Sequence, residues 1–220
     1  MTTTIDDLCE KLGITQVIPE EEYSEHKRPT APYDLQGKWF DRKALPSTKA
    51  VAPIVCERLQ GIETAIELGA GTGFRVLYYA INNPHTKFLA VDSDRNATNI
   101  LKERVKKLHL RNIRVQTMDM YTISDKYAAV IAIDCFGGQG HSKGAVELGA
   151  RHLRLARLVD TSESHSFYCT SVYNSFNESA QKFMHSIFQE VGLKQLKVVP
   201  FEFVQRDGTP YNGNMLFGKL

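Results

Sequence analysis

From residue 64 onward, short apolar runs alternate with longer amphipathic stretches. Thr64-Ala65-Ile66-Glu67-Leu68 is short and apolar, the pattern of a buried strand. Residues 74–82 follow as a helical stretch, and Phe88-Leu89-Ala90-Val91 forms a second apolar run that ends in Asp92. Ala97, Ile100, Leu101, Val105 and Leu108 recur at helical spacing, which predicts a helix over 95–108 with Asp94 as its N-cap. Strands are predicted at 113–116 and at 128–133, the second an apolar β-branched run buried on both faces. A helix at 143–158, a strand at 166–172 and a helix at 177–191 closed by Gly192 come next. Strands at 197–205 and 214–219, joined by the turn Asp207-Gly208-Thr209-Pro210, read as a terminal antiparallel hairpin.

Upstream the pattern is less regular. Residues 5–12 predict a short helix that Gly13 ends. Glu20-Glu21-Glu22, Lys27-Arg28, Pro29, Pro32 and Gly37 then mark extended or turning chain to about residue 45. Ser47 or Thr48 caps a helix expected to reach about residue 60, with Val51, Ile54, Val55 and Leu59 on one face. The chain therefore divides into an N-terminal extension, residues 1–46, and a domain, residues 47–220. Tyr23, Tyr33, Trp39 and Phe40 in the extension are large groups that pack somewhere, as a lid over the site or as a strap on the sheet edge.

Alternating strands and helices followed by a hairpin predict an α/β fold. We expect a doubly wound, seven-stranded, mostly parallel sheet with a reversed C-terminal edge strand and helices on both faces. In such sheets ligands bind beyond the carboxyl ends of the strands, where the strand order switches. The candidate chemistry should sit just after each strand.

After the first strand comes Gly69-Ala70-Gly71-Thr72-Gly73. A dinucleotide site uses G-x-G-x-x-G, but here the spacing is G-x-G-x-G, and Phe74 stands where the last glycine would be. Glu67 precedes the turn, a poor position for a negative charge if a pyrophosphate must dock. Asp92 lies 19 residues beyond Gly73, close to the separation of about 20 at which an acid on the next strand meets ribose hydroxyls. A ligand with a ribose and a positively charged amino-acid end fits better than NAD. An NAD-dependent oxidoreductase is the weaker alternative.

The segment Glu67-Leu68-Gly69-Ala70-Gly71-Thr72-Gly73 resembles the first motif of the class I S-adenosylmethionine-dependent methyltransferases. The resemblance implies that Glu67, Gly69, Ala70, Gly71 and Gly73 hold the methionine end of S-adenosylmethionine. By the same resemblance, Asp92 with Ser93 beside it holds the ribose, and Met118, Asp119 and Met120 hold the adenine. Asp134, after the fourth predicted strand, is expected close to the sulfonium, where it serves as a cofactor contact and orients the methyl acceptor. His141, in the glycine-rich stretch 137–140 and just after, is the nearest candidate general base. Relatives that methylate amino nitrogens carry Pro-Pro-aromatic after the acid. This chain has Cys135-Phe136-Gly137 instead, which leaves the acceptor open: an N or O nucleophile on RNA or on a small molecule. A module that binds the cofactor, lacks catalysis and acts through a partner is the other reading.

Composition changes this picture only by exclusion. With 42% hydrophobic and 24% charged residues in 220, the chain is an ordinary globular one. No apolar run approaches the roughly 20 residues of a membrane helix, and the N-terminus lacks the regions of a signal peptide, so a cytoplasmic protein without a membrane partner is expected. Cys9, Cys56, Cys135 and Cys169 are scattered, and no metal site is implied. A net charge of +2 says little about nucleic acid. Two basic sets allow an RNA partner: Lys102, Arg104, Lys106, Lys107, Arg111 and Arg114, and Arg151, His152, Arg154 and Arg157. The first set reads as a solvated helix face. Oligomeric state is not readable.

Overall fold

The computed structural model describes residues 2–14, 38–134, 145–173, 178–204, 208 and 210–219. In these residues six helices and seven strands follow one another. They are α1 (Ile5–Leu12), α2 (Lys38–Arg58), β1 (Thr64–Leu68), α3 (Phe74–Asn82), β2 (Lys87–Asp92), α4 (Arg95–Lys107) and β3 (Ile113–Thr117). A 3₁₀ turn (Met120–Thr122) leads to β4 (Ala129–Ala132), α5 (Ala145–Ala156), β5 (Phe167–Tyr173), α6 (Glu178–Glu190), β6 (Gln195–Val204) and β7 (Pro210–Lys219).

The strands form one sheet in the order β3-β2-β1-β4-β5-β7-β6. The first five are mutually parallel, and β7 runs antiparallel to both β5 and β6. The reversed strand is thus the last in sequence and lies one place inside β6. The chain steps outward from β1 to β3 and then returns to lay β4 beside β1. The switch in strand order therefore falls between β1 and β4, and the segments that leave these two strands open the crevice where such sheets bind ligands.

Alternation along each strand sorts the side chains into two layers. Ala65, Ile131, Cys169 and Phe217 face a layer built by α1, α2, α3 and α4. Ile66, Leu68, Val130, Tyr168 and Leu216 face the opposite layer, which includes Leu155 of α5 and Phe188 of α6. The short helix α1 joins the first layer. It is closed at one end by a capping box between Thr4 and Asp7 and at the other by Gly13 at φ 70°. Its apolar face, Ile5, Leu8, Cys9 and Leu12, is buried, and the Thr3 N–H donates to the Asn82 side chain at the end of α3. Residues 2–14 of the extension are thus packed on the domain. Residues 15–37, with Tyr23 and Tyr33, lie outside the described residues.

Three expectations are corrected. The helix expected from 47 starts at Lys38 and runs through both Pro46 and Pro53. A proline ordinarily ends or kinks a helix. Here Leu45, Ser47, Thr48, Val51, Ala52, Val55 and Leu59 are all buried, and this tertiary packing outweighs the lost backbone bonds. The Ser47 hydroxyl meanwhile donates to the Ala44 carbonyl oxygen at 2.9 Å. Second, Arg104 is not on a solvated face. It is 8% exposed, and its Nη1 donates to the Thr72 carbonyl at 3.0 Å. Third, His152 does not belong to a basic surface. It is 2% exposed and shares a 2.8 Å hydrogen bond with the Tyr168 hydroxyl. Burial pushes its pKa down to about 4, so the ring is neutral at pH 7.

Candidate functional site

The glycine turn owes its shape to three left-handed residues, Gly69 (φ 68°), Gly71 (φ 55°) and Gly73 (φ 80°), which a Cβ would strain. Two hydrogen bonds tie the turn to the tip of β2. The Ala70 N–H donates to the Val91 carbonyl at 2.9 Å, and the Gly71 N–H donates to Asp92 Oδ2 at 2.7 Å. The other carboxylate oxygen, Oδ1, accepts from the Asp94 N–H at 2.9 Å. A carboxylate has about four lone-pair positions, so Asp92 can still accept from two hydroxyls. Asp94 itself caps α4, accepting from the Asn96 and Ala97 N–H groups. Ser93 is exposed beside it.

Gly73 has a second reason to be glycine. An added Cβ would stand 2.0 Å from Leu101 Cδ1, so the turn packs directly on α4. Arg104, one turn further along α4, holds the Thr72 carbonyl. The turn is therefore fixed from β2 on one side and from α4 on the other.

At the tip of β3, Met118 and Met120 are half-buried against the second core layer. Asp119 is exposed, and one of its oxygens caps the 3₁₀ turn by accepting from the Tyr121 N–H at 2.9 Å. The register pairs Asp92 with Thr117, so Asp92 and Asp119 leave adjacent strands at the same edge.

At the tip of β4, Asp134 adopts φ 56°, an uncommon conformation for a residue with a Cβ. Its carboxylate is held on both oxygens. Ser171 Oγ donates to Oδ1 at 3.0 Å, and Arg75 Nη1 donates to Oδ2 at 2.8 Å. Arg75 Nη2 donates to the Ile133 carbonyl at 3.0 Å, and Nε stands 3.5 Å from Glu67 Oε1. Glu67 is 2% exposed, and its Oε2 has no hydrogen-bond partner among the described residues. Burial, opposed by Arg75, raises the Glu67 pKa to about 7. The guanidinium is largely buried, but the charges of Asp134 and then Glu67 outweigh that penalty and raise its pKa. The structure thus joins Glu67, the glycine turn, Asp92 and Asp134 along one edge, with Asp119 beside them. His141 lies outside the described residues.

Sequence reasoning missed Arg75, Arg104 and Ser171. A signal existed for Arg75: a cation in the first turn of a helix opposes the helix dipole and needs an anion to hold it there. Among the described residues no cluster of three His, Cys, Asp or Glu could hold a metal ion, and no helix is long and apolar enough to cross a membrane. A cavity of about 380 Å³ lined by Lys11, Ile81, Leu108 and Arg111 shares no residue with the strand-tip cluster.

The strand order and the reversed β7 are those of the class I, Rossmann-like methyltransferase fold, and this protein has that fold. A family model described as "Putative methyltransferase" matches residues 63–130, the segment that carries the glycine turn, Asp92 and Asp119. Magnesium protoporphyrin IX methyltransferase from Synechocystis PCC 6803, crystallised with bound SAM, superposes with a TM-score of 0.58 at 15% identity, over 84% of this chain and 85% of that one. An O-methyltransferase family protein from Burkholderia thailandensis gives 0.63 at 13% identity, over 98% and 68%. A protein from Pyrococcus horikoshii described as "a putative RNA methyltransferase" gives 0.56 at 16% identity, over 77% and 82%. No curated protein matches the sequence.

Proposed function

We propose that this protein binds S-adenosylmethionine at the tips of β1 to β4 and transfers its methyl group to an N or O nucleophile of an acceptor. One observation carries the reading. Glu67, buried two residues before the first of three left-handed glycines, keeps an oxygen without a partner among the described residues, which an ammonium group beside the turn would satisfy. A buried carboxylate oxygen left unpaired is costly, so this geometry calls for a cationic ligand. Asp92 can accept from two ribose hydroxyls while it keeps its bonds to Gly71 and Asp94. Met118 and Met120 offer soft surfaces to a flat ring, and Asp119 keeps an oxygen for an amino group.

When bound, the cofactor supplies a methyl group on a positively charged sulfur that leaves as a neutral thioether. The protein's task is then largely approach geometry, which supplies about 7–11 kcal/mol in well-oriented reactions. Asp134, fixed on both oxygens, orients an N–H or O–H of the acceptor, and His141 is the candidate base. The fixed carboxylate also suits the alternative, a module that binds the cofactor without catalysis.

A small-molecule acceptor is favoured over RNA. Helix α4 leaves the tip of β2 and runs back along the sheet, so Lys106, Lys107 and Arg111 lie at the edge away from the glycine turn. In the second basic set, Arg154 donates to the Tyr121 carbonyl and Arg157 pairs with Glu190 at 3.0 Å.

Calorimetry with S-adenosylhomocysteine tests the cofactor assignment. Micromolar binding is expected, with a loss of tenfold or more in Asp92→Ala. No binding to the wild type, or equal binding to the variant, refutes it.

A further inference from the structure

Arg75 belongs to neither the glycine motif nor the strand tips. It is the second residue of α3, where the helix dipole disfavours a cation, and its side chain is 13% exposed. All three of its nitrogens are used: one on Asp134, one on the Ile133 carbonyl and one near Glu67. A planar guanidinium fork can serve three partners in fixed directions, which an ammonium on a flexible stem cannot. Its partners come from β1 and from the segment just past β4, the two strands that meet at the switch point.

We propose that Arg75 is the positioning residue of this site: the shared cation that fixes Asp134 at the tip of β4 and Glu67 beneath the glycine turn, so that the cofactor side and the acceptor side are set by one group. The inference rests on the S-adenosylmethionine reading above. At β4, the left-handed Asp134 needs contacts to hold it. Arg75 supplies them through the carboxylate and the preceding carbonyl, and Ser171 supplies the rest, its Oγ accepting from the Asp134 N–H at 3.3 Å. With both oxygens held, Asp134 presents a constant direction to an incoming acceptor.

At β1, Arg75 controls whether Glu67 meets the ligand as an anion. The groups around Glu67 are Arg75 and Tyr79 on α3, Asp134 after β4 and Cys169 on β5. Burial raises Tyr79 and Cys169 far enough that both are neutral at pH 7, and Asp134 disfavours a second negative charge. Arg75 is the main influence on the other side, against burial. With Arg75 in place Glu67 is about half ionised at pH 7, and without it the balance moves towards the protonated form, which attracts an ammonium group less.

The test is calorimetry of the full chain with S-adenosylhomocysteine from pH 6 to pH 8. A Glu67 that ionises near pH 7 predicts that wild-type affinity rises about tenfold across this range. Arg75→Gln should bind about tenfold more weakly at pH 7, with the rise displaced to higher pH, and Arg75→Lys, which keeps the charge but not the planar fork, should recover only part of the loss. Glu67→Gln should lose the rise, and in that background Arg75→Gln should change affinity less than threefold. An Arg75→Gln variant with wild-type affinity and pH profile overturns the proposal, as does a full tenfold loss that persists in Glu67→Gln. Should Arg75→Gln fail to fold, as thermal melting would show, Glu67→Gln decides, because a retained pH rise there overturns it. Failure of the wild type to bind sinks the cofactor reading instead.

Discussion

Gly73 offers a prediction in which two costs can be separated. The residue sits at φ 80°, where an L side chain costs roughly 1–2 kcal/mol. A methyl group there would also meet Leu101 Cδ1 at 2.0 Å, Cδ2 at 2.7 Å and Cγ at 2.8 Å. Leu101 is fully buried on α4 and cannot swing into solvent, so the clash forces a shift worth roughly 1–3 kcal/mol. Gly73→Ala should therefore cost about 2–5 kcal/mol, a large part of the roughly 5–15 kcal/mol that holds a domain together. Gly61 supplies the control. It has nearly the same φ, 79°, but nothing within 4 Å of its added Cβ. Gly61→Ala should cost only the conformational part, about 1–2 kcal/mol. Urea unfolding followed by circular dichroism measures both, and Leu101→Ala closes a double-mutant cycle. Leu101→Ala alone should cost about 2–5 kcal/mol by leaving a cavity, yet the double variant should cost less than the sum by roughly 1–3 kcal/mol. If the two glycine variants are equally destabilised, or the cycle is additive, Gly73 is not held by α4 and the account of the turn is wrong.

The further predictions concern buried titratable and charged groups. His152 goes from an unfolded value of 6.5 to about 4, so its stability contribution is full above pH 6.5 and is lost as pH falls towards 4. Glu67 goes from 4.5 to about 7, so its contribution is full below pH 4.5 and is lost as pH rises through 7. Each is worth on the order of 3 kcal/mol at 1.36 kcal/mol per pH unit, and between pH 4.5 and 6.5 the two slopes oppose each other. Urea titrations at several pH values should show His152→Phe losing stability as pH rises from 4.5 to 7, and Glu67→Gln losing it as pH falls from 6.5 to 4. Parallel slopes in the two variants would contradict this. Arg104→Met keeps the aliphatic stem but drops the bond to Thr72. It should cost about 1–3 kcal/mol and weaken S-adenosylhomocysteine binding severalfold, whereas exposed Lys102→Met should stay within about 0.5 kcal/mol, both checked by urea unfolding and calorimetry.

Most of the architecture was legible along the chain. The period of the apolar positions separates β1, α3 and β2 at or within a residue of their observed bounds, because these elements bury whole faces and their sequence repeats accordingly. The cluster at the strand tips was legible for a related reason. The glycine turn, and the acids at or just past the ends of β1, β2 and β4, follow directly from strands whose ends the sequence marks. Position along a parallel sheet carries them to one edge without knowledge of any distant contact.

What the linear pattern could not contain is the pairing of long side chains across the fold. Arg75 finds Asp134 59 positions away, and Arg104 finds Thr72 32 positions away. Both look like surface cations until the sheet closes over them. His152 is written among arginines and yet faces Tyr168, since α5 turns that one position inward. Helix α2 continues through two prolines because the core it covers outweighs the bonds they remove. Periodicity reports how much of a residue is buried on average over its element. Only the assembled fold decides which particular partner waits there, and so whether a charge is solvent-facing or part of the site.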